Sequence, residues 1–245
     1  MKIAVLSDIH ANPLALSAVL GDIEEFNPDK VFILGDLILG GYNPNKTCQV
    51  VFDLKDKYKD NFSIIQGNTD KMIAFCTKEL IDKTKEVFPC MGYSLEEDIK
   101  ITDKKYIDYV KNLPEKLFLE LNGLKVELVH GSPRNQSENI YPDLSDEEVT
   151  SMVESSNADL ILCAHTHIPC GYSLNNNKTV VNAGSVGRPL TKDKKSCYLR
   201  LTIDKNSKFY IEHRLVKYDN NLASRHILSR GFKYCEDLAR MYVEQ

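Results

Sequence analysis

Five times in this chain an apolar run of strand length stops and a carboxylate, an amide or an imidazole follows at once. Ile3-Ala4-Val5-Leu6 leads through Ser7 to Asp8 and His10. Val31-Phe32-Ile33-Leu34 leads through Gly35 to Asp36, and Phe62-Ser63-Ile64-Ile65 leads through Gln66-Gly67 to Asn68. Later, Lys125 to Val129 runs into His130, and Leu160-Ile161-Leu162-Cys163 runs through Ala164 to His165 and His167. Short continuous apolar runs suit strands buried on both faces. In open α/β sheets, ligands gather beyond the carboxyl ends of strands. The pattern therefore sends two Asp, one Asn and four of the chain's 6 histidines to one rim.

The segments between these runs read as helices and turns. Asn12-Pro13 opens a helix, with Asn as cap and Pro in the first turn. Leu14, Leu16, Val19, Leu20 and Ile23 give it an apolar face, and Asn27-Pro28 ends it. Val50 to Lys57 reads as a second helix, and the resulting β-α-β-α-β order implies a mainly parallel sheet. Residues 71–114 are charged and helix-favouring; they read as a helical insert laid over one edge of a single domain spanning 1–245, a partial lid. Asn122-Gly123 predicts a type I′ hairpin turn. Ser145 with Glu148 predicts a capping box for a helix to about Ser155. Thr179 to Val181 is a further strand, leading to Asn182-Ala183-Gly184-Ser185, and Asn175-Asn176-Asn177 is a turn. The tail reads as a hairpin, Cys197 to Ile203 and Phe209 to Val216, followed by helix to Gln245.

Composition narrows the class. With 245 residues, 42% hydrophobic and 27% charged, the chain can bury a sizeable core. A net charge of −4 with no basic cluster gives no nucleic-acid surface. The 7 cysteines, Cys48, Cys76, Cys90, Cys163, Cys170, Cys197 and Cys235, are odd in number and lack any C-x-x-C, which argues against a disulfide framework or a cysteine zinc site. A cytoplasmic protein is expected, with no signal peptide and no membrane span.

Mixed imidazole and carboxylate ligands suit Mn, Fe, Zn, Co or Ni better than Ca or Mg. The set is too large for one tetrahedral ion but suits two ions sharing a carboxylate. Two metals about 3.5–4 Å apart can bind the attacking and leaving oxygens of a phosphoryl displacement and generate hydroxide from water.

Asp8-Ile9-His10, Gly35-Asp36, Gly67-Asn68-Thr69-Asp70, His130-Gly131 and Ala164-His165-Thr166-His167, in this order, resemble the calcineurin-like metallophosphoesterase superfamily. Asn182-Ala183-Gly184-Ser185-Val186-Gly187 resembles a loop of its small bacterial and archaeal phosphodiesterase-like branch. The resemblance implies an α/β fold, a two-sheet β-sandwich flanked by helices. It implies that Asp8, His10 and His167 hold one divalent ion, that Asn68, His130 and His165 hold another, and that Asp36 bridges them, with manganese the expected metal. It further implies hydrolysis of a phosphodiester or phosphomonoester in a small phosphorylated substrate, by attack of a metal-bridging hydroxide without a covalent enzyme intermediate. Two positions depart from the family pattern. Thr69 stands where many members carry a histidine, and a hydroxyl cannot replace an imidazole as general acid near neutral pH. That departure and the loop favour diesters. Ala164 stands where Gly is usual, which matters only if the position needs positive φ.

Taken singly, each motif has an ordinary explanation: Asp8 and Asp36 as turn acids, Asn68-Thr69-Asp70 as a helix cap, His130 as a turn residue. Only their joint order after strands points to metal. Thr69, Arg134 and Arg188 are candidate substrate contacts, the arginines as bidentate phosphate clamps. Asp70 is a candidate for orienting a ligand. His213 and His226 are expected to be structural, Cys163 a core thiol, and Glu96-Glu97-Asp98 a solvated helix start. The rival readings are a catalytically weak or inactive binding scaffold on the same fold, and hydrolysis of a non-phosphorus bond by the same centre.

Overall fold

The computed structural model describes residues 1–243. Its strands are β1 (Lys2–Leu6), β2 (Lys30–Ile33), β3 (Phe62–Ile64), β4 (Lys116–Leu121), β5 (Leu124–Val129), β6 (Leu160–Cys163), β7 (Cys170–Ser173), β8 (Thr179–Asn182), β9 (Ser196–Ile203) and β10 (Phe209–Val216). Its α-helices are α1 (Pro13–Phe26), α2 (Pro44–Tyr58), α3 (Asn68–Ala74), α4 (Lys78–Val87), α5 (Pro89–Ile101), α6 (Lys104–Lys111), α7 (Asp146–Val153), α8 (Asn220–Leu228) and α9 (Cys235–Arg240).

The strands form two mixed five-stranded sheets, ordered β10-β9-β1-β2-β3 and β4-β5-β6-β8-β7. In the first, β1 pairs parallel with β2 and β2 with β3, while β9 and β10 run antiparallel. In the second, β5, β6 and β8 are parallel, flanked by antiparallel β4 and β7. Alternation along each strand explains the layering. Ile3 and Val5 of β1 enter a core shared with Val126, Leu128, Leu160 and Leu162 of the second sheet. Ala4 and Leu6 face the other way, toward Leu16 and Val19 of α1. On the far side of the second sheet, Ile161 and Val180 pack on Val149 and Val153 of α7. The result is the expected two-sheet sandwich flanked by helices.

Local signals mostly worked where they involved caps. Asn12 accepts from the backbone of Ala15, with Pro13 in the first turn of α1. Ser145 and Glu148 form the capping box of α7. Asn122 and Gly123 both have positive φ, 51° and 83°, as a type I′ turn requires. The second helix starts earlier than expected, because Asn43-Pro44 repeats the Asn-Pro device at its head. Strand β7 was not anticipated; its alternating burial carries no apolar run. The 71–114 stretch holds helices α3 to α6, with α3 already beginning at Asn68. The helical reading of the tail holds as two short helices, α8 and α9; Glu244 and Gln245 lie outside the described residues.

Asp98 corrects one expectation. The Glu96-Glu97-Asp98 stretch is the later part of α5, not a solvated helix start, and Asp98 is fully buried. Its carboxylate pairs with Arg230 at 2.7 Å and accepts from Ser94 Oγ and the Gly40 N–H. Helix periodicity turned one acid of three inward, and its partner lies too far along the chain to be seen locally. His213 and His226 are structural as expected: His213 Nε2 lies 2.7 Å from the Asn182 carbonyl, and His226 stacks on Tyr42.

Asp22 of α1 joins that helix to β9 and β10. Its carboxylate pairs with Arg214 at 2.8 Å, with Arg200, and accepts from Tyr198 Oη at 2.7 Å. Burial opposes ionisation, yet Arg214, Tyr198 and Arg200 outweigh it and hold the carboxyl down at about 2. A depressed carboxyl stabilises the fold above its unfolded value and loses that contribution as pH falls through the folded one. Asp22→Asn is expected to cost roughly 1–2 kcal/mol at pH 7, allowing for solvent screening of Arg214. In urea unfolding, the gap between native and variant should close between pH 4 and pH 2. A gap that stays constant to pH 2 would show that the ion pair contributes nothing.

Candidate metal centre

The loops after β1, β2, β3, β5 and β6 converge on the seam between the two sheets. Asp8, His10, Asp36, His130 and His167 are buried there, while Asn68 and His165 are half-buried at the opening. Asp8, His10 and His167 form one group whose potential ligand atoms all lie within 4.8 Å of one another; Asp8, Asp36 and His130 form a second. Asn68 Oδ1 stands 2.9 Å from His130 Nε2 and 2.9 Å from His165 Nδ1, which joins both to the same cluster.

Each carboxylate has one oxygen held and one left facing the centre. Asp8 Oδ2 accepts from Ser7 Oγ at 2.8 Å, whereas Asp8 Oδ1 is buried without a hydrogen-bond partner. Asp36 Oδ1 accepts from the Thr69 N–H at 2.9 Å, and Asp36 Oδ2 lies 3.7 Å from His10 Nε2 and 3.4 Å from His130 Nε2. Asp36 thus faces a histidine of each group, while Asp8 is common to both.

The imidazoles are oriented by backbone carbonyls. His10 Nδ1 lies 2.6 Å from Leu39 O, His130 Nδ1 2.7 Å from Leu34 O, and His167 Nδ1 2.7 Å from Arg188 O. A carbonyl oxygen only accepts, so each Nδ1 carries a proton; the neutral rings of His10 and His167 present their Nε2 lone pairs inward, whereas His130 Nε2 also faces an acceptor, the Asn68 amide oxygen, at 2.9 Å. His10 Nε2 and His167 Nε2 then face each other at 3.0 Å as two acceptors, beside the free Asp8 oxygen. Such a lining of converging lone pairs and carboxylate oxygens is unsatisfied by itself and complementary to a cation. The donor set fits divalent transition metals.

Electrostatics agree. Burial, then the neighbouring Arg188 guanidinium, push His10 down to about 4, so it stays neutral. Burial also lowers His165, helped by His130. For His130, burial opposes protonation, but the Asp36 and Asp8 carboxylates overcome it and raise the ring to about 10. Burial works against ionisation of Asp8 and Asp36 too, yet the surrounding imidazoles hold both carboxyls low. The pocket draws positive charge.

Backbone geometry sets the cluster apart. Asp8, His10, Asp36, His165 and His167 all have φ between 46° and 69°, in the left-handed region. Non-glycine residues adopt it rarely, at roughly 1–2 kcal/mol each, and such strain collects at functional sites. Ala164 is not among the positive-φ residues, so its lack of a glycine costs nothing there.

Glycines let the loops meet. A Cβ on Gly35 would lie 2.3 Å from Gly67 N, and one on Gly67 would lie 2.0 Å from Asp36 Oδ1. Asp70 then ties these loops together: it accepts from the backbone N–H of Asp36 at 2.8 Å, Leu37 at 2.9 Å and Gly67 at 3.1 Å. Thr69 is buried, and its hydroxyl has no hydrogen-bond partner. The two candidate arginines differ sharply. Arg134 has its guanidinium on Glu138, at 2.5 Å, and on the Ser151 carbonyl. Arg188 is half-buried beside the centre, and among the described residues its Nη1 meets the Met91 thioether, at 3.1 Å, and no acid.

From the C-terminus, Tyr242 Oη donates to Gly40 O and Arg230 Nη1 to Gly41 O, both at 2.7 Å. Leu39, whose carbonyl orients His10, belongs to this same loop. Neither contact was foreseen in the sequence, since no local signal links the tail to residues 39–41.

Two mixed sheets packed face to face, with acids and imidazoles gathered on the strand-end rim, define a metallophosphoesterase architecture. The chain belongs to the calcineurin-like phosphoesterase superfamily, whose family model matches residues 1–206. A protein of Methanocaldococcus jannaschii is 31% identical over 233 residues, covering 89% of this chain and 88% of its own. A solved structure from Pyrococcus horikoshii shares the fold with a TM-score of 0.87 at 22% identity, covering 98% of this chain and 97% of that one. The crystal structure of a metallophosphoesterase from Sphaerobacter thermophilus gives a TM-score of 0.76 at 21% identity, over 99% and 98%. Among the described residues, no helix is long and apolar enough to cross a membrane.

Proposed function

We propose that this chain hydrolyses phosphoester bonds of a small substrate, diesters before monoesters, using two divalent ions. Asp8, His10 and His167 would hold one ion and Asn68, His130 and His165 the other, with Asp36 shared. The observation that carries the reading is the pair of inward Nε2 atoms of His10 and His167, fixed by Nδ1–H bonds to backbone carbonyls, beside a buried Asp8 oxygen without a hydrogen-bond partner. The position of Asp36 Oδ2 between His10 and His130 supports its sharing. Two bound ions would supply Lewis-acid activation of water and charge neutralisation at phosphorus. Manganese is the first candidate, with Fe, Zn, Co and Ni as alternatives, since availability often decides among them.

The chain's own groups do the positioning. Asp70 fixes the backbone of Asp36 and Gly67, and so the spacing of two ligand loops. Arg188, with no carboxylate on its guanidinium among the described residues, would bind a phosphoryl oxygen; Arg134 is already engaged by Glu138. No imidazole stands at position 69 to protonate a poor leaving group, which favours activated or diester substrates. All seven cysteines are free thiols, which supports a reducing compartment such as the cytoplasm.

The test is metal analysis of the purified protein together with hydrolysis of bis(p-nitrophenyl) phosphate and p-nitrophenyl phosphate, with and without added manganese. About two ions per chain and metal-dependent turnover are expected. Arg188→Gln should lower kcat/KM by roughly 10–100-fold, and Arg134→Gln by less than about twofold. Bound metal with no turnover on either ester would favour the scaffold reading instead.

A further inference from the structure

On its Asn68 and His130 side the centre opens into a groove. A cavity of about 620 Å³ begins at Asn68 and His130 and runs outward between α3, the head of β4 and the loop after β5. That volume is far more than a phosphoryl group needs and falls within the roughly 300–1,000 Å³ of small-molecule sites. Neither Asp8, His10 nor His167 lines it. The groove therefore extends from the Asn68/His130 side.

Its lining has a definite chemistry. One wall carries Met72 from α3, Phe75 at the C-cap of that helix and Leu80 from α4; Phe75 is 51% exposed, with Lys111 Nζ over its ring 5.4 Å from the centroid. One side of the ring thus meets Lys111, and the rest of its half-exposed surface is what a ligand in the groove would meet. The cations along the groove are all engaged. Lys71 pairs with Glu115 at 2.5 Å, Lys116 lies 3.6 Å from Glu127 and donates to Pro133 O, and Arg134 is on Glu138. Among the described residues that line the groove, each lysine and arginine already has a carboxylate beside it. What remains is an apolar wall ending in an aromatic face.

We infer that this groove binds the organic arm of the substrate, that the arm is planar aromatic, and that Phe75 is its specificity-determining contact. The inference rests on the phosphoesterase reading above, and names the side of the centre from which the ester group extends. Offset stacking on Phe75, with Met72 and Leu80 along the ring edge, rewards a flat arm over an alkyl one of similar length.

Titration calorimetry on the full-length, manganese-loaded protein tests this with three non-hydrolysable probes: inorganic phosphate, methylphosphonate and phenylphosphonate. Phenylphosphonate should bind roughly tenfold more tightly than methylphosphonate. Phe75→Ala should bring that ratio below about threefold, and Phe75→Trp should retain it. Because Phe75 is exposed at the surface, its replacement leaves the core intact. Val87→Ala, at a residue 79% exposed and outside the groove, should leave the ratio unaltered. Equal affinity for the two phosphonates, or a ratio indifferent to Phe75, would overturn the groove assignment while phosphate binding left the dimetal reading standing. If none of the three probes bound, both would fall.

Discussion

Asp36→Asn is expected to abolish hydrolysis, lowering kcat by about a thousandfold or more, and to reduce the metal content of the same samples. The substitution is nearly isosteric. An amide oxygen can still accept the Thr69 N–H that Asp36 Oδ1 accepts at 2.9 Å, so the loop keeps its shape. What is lost is the negative charge on Oδ2, which faces His10 and His130 at once. On the proposed division, removing His10 or His130 would damage chiefly one ion's ligands; removing the charge of Asp36, which faces both, damages both. Circular dichroism and thermal unfolding should show a folded variant, while metal analysis and p-nitrophenol release carry the result. A well-folded Asp36→Asn protein with native turnover would end the proposed mechanism.

Gly187→Ala should be the most damaging single methyl in the molecule. A Cβ there would lie 1.8 Å from Ile9 O and 2.5 Å from Ile9 C, inside any permissible contact. The two loops cannot simply part, because Gly187 N donates to Asp8 O at 2.9 Å and Asn12 Nδ2 to Gly187 O at 2.7 Å. The expected cost is about 3 kcal/mol or more, a fall of roughly 6–12 °C in Tm for a chain of this size. Gly21→Ala is the matched control. It lies within α1 with nothing within 4 Å of its Cβ position. There the added methyl should stabilise, by up to about 1 kcal/mol. Equal Tm values for the two variants would refute the close-packing account of Gly187.

Much of this architecture was readable because it is written locally. Strand-length apolar runs, Asn-Pro helix heads, the Asn122-Gly123 turn and the Ser145–Glu148 box each involve residues a few positions apart, where sterics and capping decide the backbone. The ligand side chains were readable because they follow those strands. Their supports were not. The carbonyls of Leu34, Leu39 and Arg188, which orient three imidazoles, carry no side-chain signature. The separation of the two candidate arginines depends on Glu138, which captures one, and on Met91, which meets the other where no acid stands among the described residues. Asp98 was misread as solvated because its partner, Arg230, sits on the far C-terminal segment. Strand β7 escaped because an edge strand with alternating exposure has little apolar content to announce it.

The division of the ligand cluster between the sheets has a consequence for folding. Asp8, His10, Asp36 and Asn68 ride on the first sheet; His130, His165 and His167 ride on the second. The cluster is a seam, and His10 and His167 meet across it although 157 positions separate them. Before the sheets dock, neither half of the cluster is complete, so the unfolded or half-docked chain offers a cation little to bind. Binding would therefore favour the docked state by mass action. An ion in the seam would act as a reversible crosslink between the two halves of the sandwich, and the resistance of this fold to heat would rise and fall with the free concentration of the metal.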